Sequence, residues 1–349
     1  MYEILAERVR QNIESVKKHI SFSANVRMMV NNKALRCNNA AGLCFDVGLL
    51  YQSAPTSIEW RIIDHCSAIT RLYGVYEKFV EDLLTAHLQF IERNVAYTDL
   101  DDKFQTQHRR AVGQILIDLD RERYKSTIRF ESVLDDIKNI FNGGTYRLLP
   151  EALLSHDQNL RMSELTTLFE KCGIPKVKEW IDGHRAIRRF LAENGQEDKA
   201  ESKLGQLVQY RNDAAHGGIE VDDLLGTEAL LEFANFVESL CAALTECVQW
   251  ACLRKVRELG RIDRAGVIKE RFSNGAVVAV VQENTFDLGA SFYLVGEAFC
   301  YPAKICSIQD QGVSMASITV LDPKEIGFKF DIDPPRKADM YYWPERARS

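Results

Sequence analysis

The sequence predicts a mainly α-helical bundle followed by a small all-β barrel or sandwich domain. Two observations support this fold class. Up to about residue 259, apolar residues recur at the three- and four-residue spacing of helix faces. From residue 260 onward they occur in short runs separated by turn signals such as Ser273-Asn274-Gly275 and Asp322-Pro323. The expected divisions are an N-terminal helix and irregular segment (1–57), a helical domain (58–259) and a small β-barrel-like domain (260–349).

The apolar pattern places the helices in order along the chain. Residues 1–20 read as a helix, whereas 21–57 are rich in Asn and are expected to be irregular. A long helix follows, with Trp60, Leu72 and Phe79 on its apolar side. The predicted helices after residue 57 cover 57–94, 105–120, 129–141, 160–171, 175–193, 199–216 and a long stretch that begins after Asp223.

Six strands are expected in the C-terminal region, a number typical of a small barrel or sandwich. They are predicted at 266–270, 276–282, 291–296, 303–308, 314–321 and 326–332. The aromatic residues Phe292, Tyr293 and Tyr301 have two interpretations: they stack on RNA bases, or they fill the core of the domain, which is the favoured interpretation.

Composition limits the class of protein. Among 349 residues, 46% are hydrophobic and 27% are charged, which is typical of a globular protein. No apolar run approaches the roughly 18 residues that a membrane helix needs, and the first residues lack the apolar core of a signal peptide. The nine cysteines include no Cys-x-x-Cys pair. We therefore expect a cytoplasmic protein without a zinc site and without a membrane partner.

The net charge of −6 argues against a nonspecific nucleic-acid coat, which is usually basic. It permits an enzyme whose positive groups are confined to one cleft.

The most informative segment is Gln-Tyr-Arg-Asn-Asp-Ala-Ala-His-Gly-Gly at 209–218. Arg211 continues an apolar helix face, so we expect it to point toward the core or a partner. Asn212 and His216 are one helical turn apart, and their side chains are expected to meet. The Gly217-Gly218 pair predicts the end of the helix.

A structural interpretation of these residues is also open. Arg and His at this spacing occur by chance, and a His before a Gly cap often only interacts with the helix dipole.

Two short motifs resemble the HEPN superfamily of helical domains. The first is Arg-x(4–6)-His with Asn directly after the Arg, matched by Arg211, Asn212 and His216. The second is an aromatic–Glu pair in a leucine-rich helix, matched within Ile69–Leu84, the stretch that contains Glu77. Over roughly residues 58–258 the chain resembles the HEPN branch that groups RiboL-PSP proteins with cyanobacterial proteins.

The resemblance implies a metal-independent endoribonuclease without a cofactor, acting in phage defence or as a toxin. Two protomers of a homodimer would form one cleft and cut tRNA or mRNA, leaving 2′,3′-cyclic phosphate ends. His216 would act as general base or general acid, and Arg211 would neutralise the transition state. Asn212 would orient His216 or the scissile phosphate, and Glu77 would pair with Arg211 before RNA binds.

Partners beyond RNA would be an antitoxin or another component of a defence system. Family toxins controlled by a nucleotidyltransferase antitoxin often carry a Tyr two residues after the His. This chain has Gly218 at that position, which argues against that form of control.

Two other classes of function compete with this interpretation. One is a non-catalytic HEPN scaffold that binds RNA, a nucleotide or a partner protein, which the presence of both Arg211 and His216 disfavours. The other is a metal-dependent nuclease or hydrolase. It ranks last because the chain has no His-Glu-x-x-His, Walker-type or Gly-x-Ser-x-Gly motif.

Overall fold

A computed structural model describes residues 2–34, 47–121, 128–156, 158–195, 199–217 and 221–342. Within these ranges eleven α-helices precede nine β-strands, which confirms the predicted fold class. The helices are α1 (Tyr2–Asn31), α2 (Val47–Ser53), α3 (Ser57–Asn94), α4 (Asp102–Asp118), α5 (Phe130–Phe141), α6 (Pro150–Leu153), α7 (Met162–Lys171), α8 (Val177–Gly183), α9 (Arg185–Glu193), α10 (Ala200–His216) and α11 (Thr227–Glu258). The strands are β1 (Arg264–Arg271), β2 (Ala276–Val281), β3 (Asn284–Asp287), β4 (Ser291–Gly296), β5 (Phe299–Asp310), β6 (Val313–Met315), β7 (Ser317–Val320), β8 (Lys324–Phe330) and β9 (Asp339–Tyr342).

The chain forms two compact units, each made of several segments. The first unit comprises Met1–Asp82, His156–Leu165 and Arg189–Ala242. The second comprises Leu83–Ser155, Thr166–Arg188 and Ala243–Ser349 and includes all nine strands. The domain boundaries expected at 57/58 and 259/260 stay a prediction.

In the first unit, helix α3 begins where the sequence predicts because Thr56 and Glu59 form a capping box. The Thr56 backbone N–H donates to Glu59 Oε2 at 2.8 Å, and the Glu59 N–H donates to Thr56 Oγ1 at 3.3 Å. This reciprocal pair satisfies N–H groups that the first turn leaves unbonded.

Helix α1 continues to Asn31, so the expectation of irregular structure directly after residue 20 is wrong. The extra turns are held by Asp64 of α3, which accepts from Ser23 Oγ at 2.6 Å and from Arg27 at 2.6 Å. Asp64 is only 8% exposed, so its charge needs these donors. A tertiary contact therefore extends the helix beyond its apolar pattern.

The helix predicted at 175–193 is divided into α8 and α9. The break lies at His184, whose backbone is extended at φ −71° and ψ 134°. Gly183 precedes it and approaches the barrel closely: a Cβ on Gly183 would lie 3.0 Å from Ala298 Cβ. The close approach explains a glycine at this position, and the glycine favours the end of α8.

The β domain is a closed barrel. Six strands are hydrogen-bonded in the order β4-β9-β1-β2-β8-β5, and a further β4–β5 pairing closes the ring. Strand β6 extends the sheet from β5, and β3 pairs with β7 in a separate two-stranded sheet. The register is antiparallel throughout, for example with Gly266 opposite Val281 between β1 and β2.

The aromatic residues of this domain have separate roles. Phe292 is fully buried and stacks on Phe286 with ring centroids 5.5 Å apart, so it belongs to the core. Tyr301 is 39% exposed, and Tyr293 is half-buried. The core interpretation is therefore confirmed for Phe292, and Tyr293 packs against the cluster that contains Tyr341, whereas Tyr301 remains largely at the surface.

Helix α11 is the one described helix that is long and apolar enough to cross a membrane. In the structure, 78% of its most apolar window is buried, as in the core helix of a globular protein. Its last turns belong to the second unit, where Leu253 and Val256 pack with Tyr341 of β9.

Candidate functional site

Helix α10 in the first unit carries the Arg-x4-His motif. Its buried face is formed by Leu204, Leu207 and Val208, each 0% exposed. The helix ends at Gly217, which is left-handed at φ 69° and whose N–H donates to the Asp213 carbonyl. Glycine adopts this conformation without steric strain, so the predicted cap is confirmed at Gly217. Gly218 lies outside the described residues.

Arg211 continues the buried face and is itself half-buried, as its spacing predicts. Its guanidinium carbon lies 5.1 Å from the centroid of the Tyr73 ring on α3. This cation–π contact orients the side chain and contributes roughly 0.5–2 kcal/mol. Within the described part of the chain, Arg211 forms no ion pair. It is therefore a partly desolvated cation without an anionic partner among those residues.

Asn212 lies beside Arg211, and its amide orientation is fixed by chemistry. Arg211 Nη1 donates to Asn212 Oδ1 at 3.2 Å. Asn159 Nδ2 donates to the same oxygen at 2.9 Å. A guanidinium has no acceptor atom, so the atom of Asn212 that faces it must be the oxygen. No residue of the described ranges accepts from the Asn212 NH2 group, so this group is left as a donor.

The expected Asn212–His216 contact is replaced by the contact with Asn159. No hydrogen bond joins Asn212 to His216, although the two residues are one helical turn apart.

Tyr73 connects Glu77 with Arg211. Its hydroxyl donates to Glu77 Oε1 at 2.9 Å and accepts from the Leu160 backbone N–H at 2.9 Å. Burial raises the pKa of Tyr73, so the phenol stays a neutral donor. Among the described contacts, Glu77 bonds this phenol and makes no direct ion pair with Arg211. The expected Glu77–Arg211 pair is therefore replaced by an arrangement in which both residues contact Tyr73.

His216 is exposed at the last turn of α10. Its ring makes no hydrogen bond to another residue of the described ranges. A solvent-accessible imidazole of this kind is free to contact a bound molecule.

The segment after the motif is attached to α3. The Leu225 N–H donates to His65 Nδ1 at 3.1 Å, and Arg61 donates to the Leu224 carbonyl at 3.4 Å. Burial lowers the pKa of His65, which keeps its Nδ1 available as an acceptor. His65 is fully buried, and its edge-to-face contact with Tyr210 links it to the motif helix.

Arg211, Asn212 and His216 thus lie in the last two turns of one helix, where Arg211 and Asn212 share a hydrogen bond and His216 is exposed. Sequence reasoning missed two members, Tyr73 and Asn159. The i, i+4 spacing of Tyr73 and Glu77 is a signal that points to the first. Asn159 lies in a loop, and no local pattern identifies it. In the described residues, no cluster of three or more His, Cys, Asp or Glu side chains is arranged to hold a metal ion.

The helical unit and its Arg-x4-His motif define a HEPN-type domain. A comparison with known families matches the family described as RiboL-PSP-HEPN over residues 50–249. The chain belongs to the RiboL-PSP-HEPN family. The matched range includes all four predicted site residues, and the family connects the chain with RNA-related functions. No curated protein matches the chain, and no solved structure matches it.

Proposed function

We propose that the chain is a metal-independent endoribonuclease of the HEPN type. The observation that supports this function best is the half-buried Arg211, which has no ion-pair partner in the described ranges. A guanidinium in this state favours an anion, and its planar donors suit phosphate oxygens. Asn212 adds NH2 donors on the same helix, because Arg211 and Asn159 occupy its oxygen. The favoured anion is therefore a phosphodiester.

The reaction uses the 2′-hydroxyl of the RNA as its nucleophile. An imidazole removes the 2′-hydroxyl proton, the 2′-oxygen attacks phosphorus, and the bond from phosphorus to the 5′-oxygen breaks. A separate group, acting as general acid, protonates the leaving 5′-oxygen. The products are a 2′,3′-cyclic phosphate and a 5′-hydroxyl, with atoms and protons balanced.

His216 serves as base or acid, and the His216 residues of two protomers divide these roles in a homodimer. Arg211 and Asn212 stabilise the charge that develops on the phosphate oxygens. Removing one such donor typically lowers kcat about 10²- to 10³-fold.

The biological setting is proposed from family membership. The enzyme acts on tRNA or mRNA in the cytoplasm, as a toxin or in phage defence. An antitoxin or a defence-system component controls it.

The test compares wild type, His216→Ala and His19→Ala on mixed tRNA and mRNA in excess EDTA. His19 is a matched control because it is exposed on α1. Wild type and His19→Ala are expected to cleave RNA and leave 2′,3′-cyclic phosphate ends, and His216→Ala is expected to be inactive. Activity retained by His216→Ala would refute the site. RNA binding by wild type without cleavage would identify a non-catalytic scaffold instead.

The homodimer is tested by light scattering on the eluting protein, which gives its mass directly. A mass of twice the 39.8 kDa chain is expected. A monomer that cleaves RNA would contradict the composite cleft.

A further inference from the structure

A short segment, Asn159-Leu160, lies against the motif in the first unit. Two tyrosines of α3 hold its backbone: the Leu160 N–H donates to Tyr73 Oη at 2.9 Å, and Tyr76 Oη donates to the Leu160 carbonyl at 3.2 Å. The Leu160 side chain is 0% exposed. The segment is therefore anchored at both polar groups of one residue and by a buried side chain.

This anchoring places the Asn159 side chain against Asn212. The amide of Asn159 points its nitrogen toward Asn212 Oδ1, since that oxygen already accepts from Arg211. Two donors use the two lone pairs of the Asn212 oxygen. Rotation of the Asn212 amide by 180° would set its NH2 group against the guanidinium and lose that hydrogen bond, at about 1 kcal/mol or more, and the bond to Asn159 would persist only if the Asn159 amide rotated as well. Asn212 is thus restricted to one amide orientation.

We propose that Asn159 is a positioning residue for the phosphate site: it fixes the Asn212 amide as a donor that acts together with Arg211. This inference rests on the proposed function, since the bound group is the phosphodiester of RNA. The described side-chain hydrogen bond of Asn159 goes to Asn212 and not to His216. Its effect passes through Asn212.

These contacts connect the loop with the motif at two points, which explains why the loop residue Asn159 affects the motif. Tyr73 holds Leu160 by its hydroxyl and faces Arg211 with its ring. Arg211 and Asn159 then meet at the same oxygen of Asn212. A shift of the loop therefore moves the amide, and a misplacement of about 1 Å in a catalytic site lowers rate by about 10²-fold.

The isosteric substitution Asn159→Asp separates positioning from packing. It keeps the shape of the side chain but replaces the donor with a carboxylate oxygen that faces the Asn212 oxygen and repels it. We expect kcat/KM to fall about 100-fold in Asn159→Asp and about 10-fold in Asn159→Ala. Asn31→Ala is the matched control, because Asn31 also donates one side-chain hydrogen bond, to Ser57 at 3.2 Å. It should cleave like wild type, with all variants checked for folding by thermal unfolding.

A double-mutant cycle tests the route of the effect. Asn159→Ala in an Asn212→Ala background should cause no further loss, because the residue through which it acts is gone. Losses that multiply, or wild-type cleavage by both Asn159 variants, would overturn the inference and leave the proposed function standing.

A second measurement does not depend on cleavage. Inorganic phosphate is titrated into ¹⁵N-labelled protein while the side-chain amide resonances of Asn212 are followed. A saturable shift in wild type that weakens at least about threefold in Asn159→Ala supports the inference, even if wild type does not cut RNA and the proposed function fails. No response of Asn212 to phosphate, or the same response in Asn159→Ala, would overturn it.

Discussion

Glu246 on α11 is the carboxylate whose loss we expect to destabilise the second unit most clearly. It is 4% exposed. One oxygen accepts from Arg185 at 2.8 Å and lies 3.3 Å from His184 Nε2, and the other accepts from the Cys300 backbone N–H at 3.0 Å. The carboxylate thus bonds to α9 and to strand β5 through separate oxygens.

The substitution Glu246→Gln preserves size but supplies one oxygen for two donors. Its NH2 group must face either Arg185 or the Cys300 N–H, so one donor loses its acceptor. A hydrogen bond to a charged group contributes about 1.5–3 kcal/mol, and an unsatisfied buried donor costs about 1–3 kcal/mol. The Arg185 side chain is 49% exposed and regains water, which reduces the loss on that side. We therefore expect the free energy of unfolding to fall by about 2–3 kcal/mol.

The assay is urea unfolding followed by far-ultraviolet circular dichroism, with Tm measured in parallel. For a unit of this size, each kcal/mol shifts Tm by about 2–4 °C, so a decrease of about 4–12 °C is expected. Glu258→Gln is the control, because Glu258 lies on the same helix with a side chain 54% exposed. A decrease below about 1 kcal/mol, or equal effects of the two substitutions, would refute this account of Glu246.

Three further predictions concern stability and activity. Glu232→Ala should lower the free energy of unfolding by about 2–3 kcal/mol, because it leaves the buried Lys203 without its carboxylate. Lys203→Met removes the buried charge itself and should change the free energy of unfolding by less than about 1 kcal/mol. Both are measured by urea unfolding. Burial lowers the pKa of His87 and of His108 to about 4 each. Their neutral forms stabilise the fold above the unfolded pKa of about 6.5, so stability should fall by about 2 kcal/mol per histidine between pH 7 and pH 5. Tyr73→Phe removes the hydroxyl between Glu77 and Leu160 and should lower both stability, by about 1–2 kcal/mol, and RNA cleavage in a gel assay.

Each of these predictions has its own control. Equal effects of the two substitutions in the Lys203–Glu232 pair would contradict the first. The pH dependence should flatten in His87→Gln, and an unchanged slope would mean that this histidine does not titrate on unfolding. Tyr301→Phe changes an exposed tyrosine of the barrel and should match wild type. If Tyr73→Phe also matches wild type, the hydroxyl does not support the site.

The sequence predicts elements best where a single helix determines the result. The start of α3 can be predicted from the sequence because Thr56 and Glu59 are three residues apart, as a capping box requires. The placement of Arg211 can be predicted because the buried face repeats every three or four residues. The end of α1 cannot be predicted from the local sequence, since its last turns depend on Asp64 of another helix. Local periodicity contains no information about such a partner.

The same limit applies to the site. The contact between Asn159 and Asn212 joins residues 53 positions apart, and Asn159 lies in a loop without periodicity. The expected Asn212–His216 contact follows from spacing alone, but the loop supplies a competing donor for the Asn212 oxygen. Spacing identifies which side chains share a helix face, whereas the fold decides which hydrogen bonds form.

The place of β9 in the barrel has a consequence for synthesis. Strand β9 fills the position between β1 and β4, and its Tyr341 packs on Leu253 and Val256 of α11. A nascent chain that stops before Asp339 therefore has two open strand edges and an uncovered apolar helix surface. Such edges pair with other chains and such surfaces recruit chaperones and proteases. A chain truncated before Asp339 is therefore expected to aggregate or to be degraded, because β9 is needed to pair both strand edges and to cover the apolar helix surface.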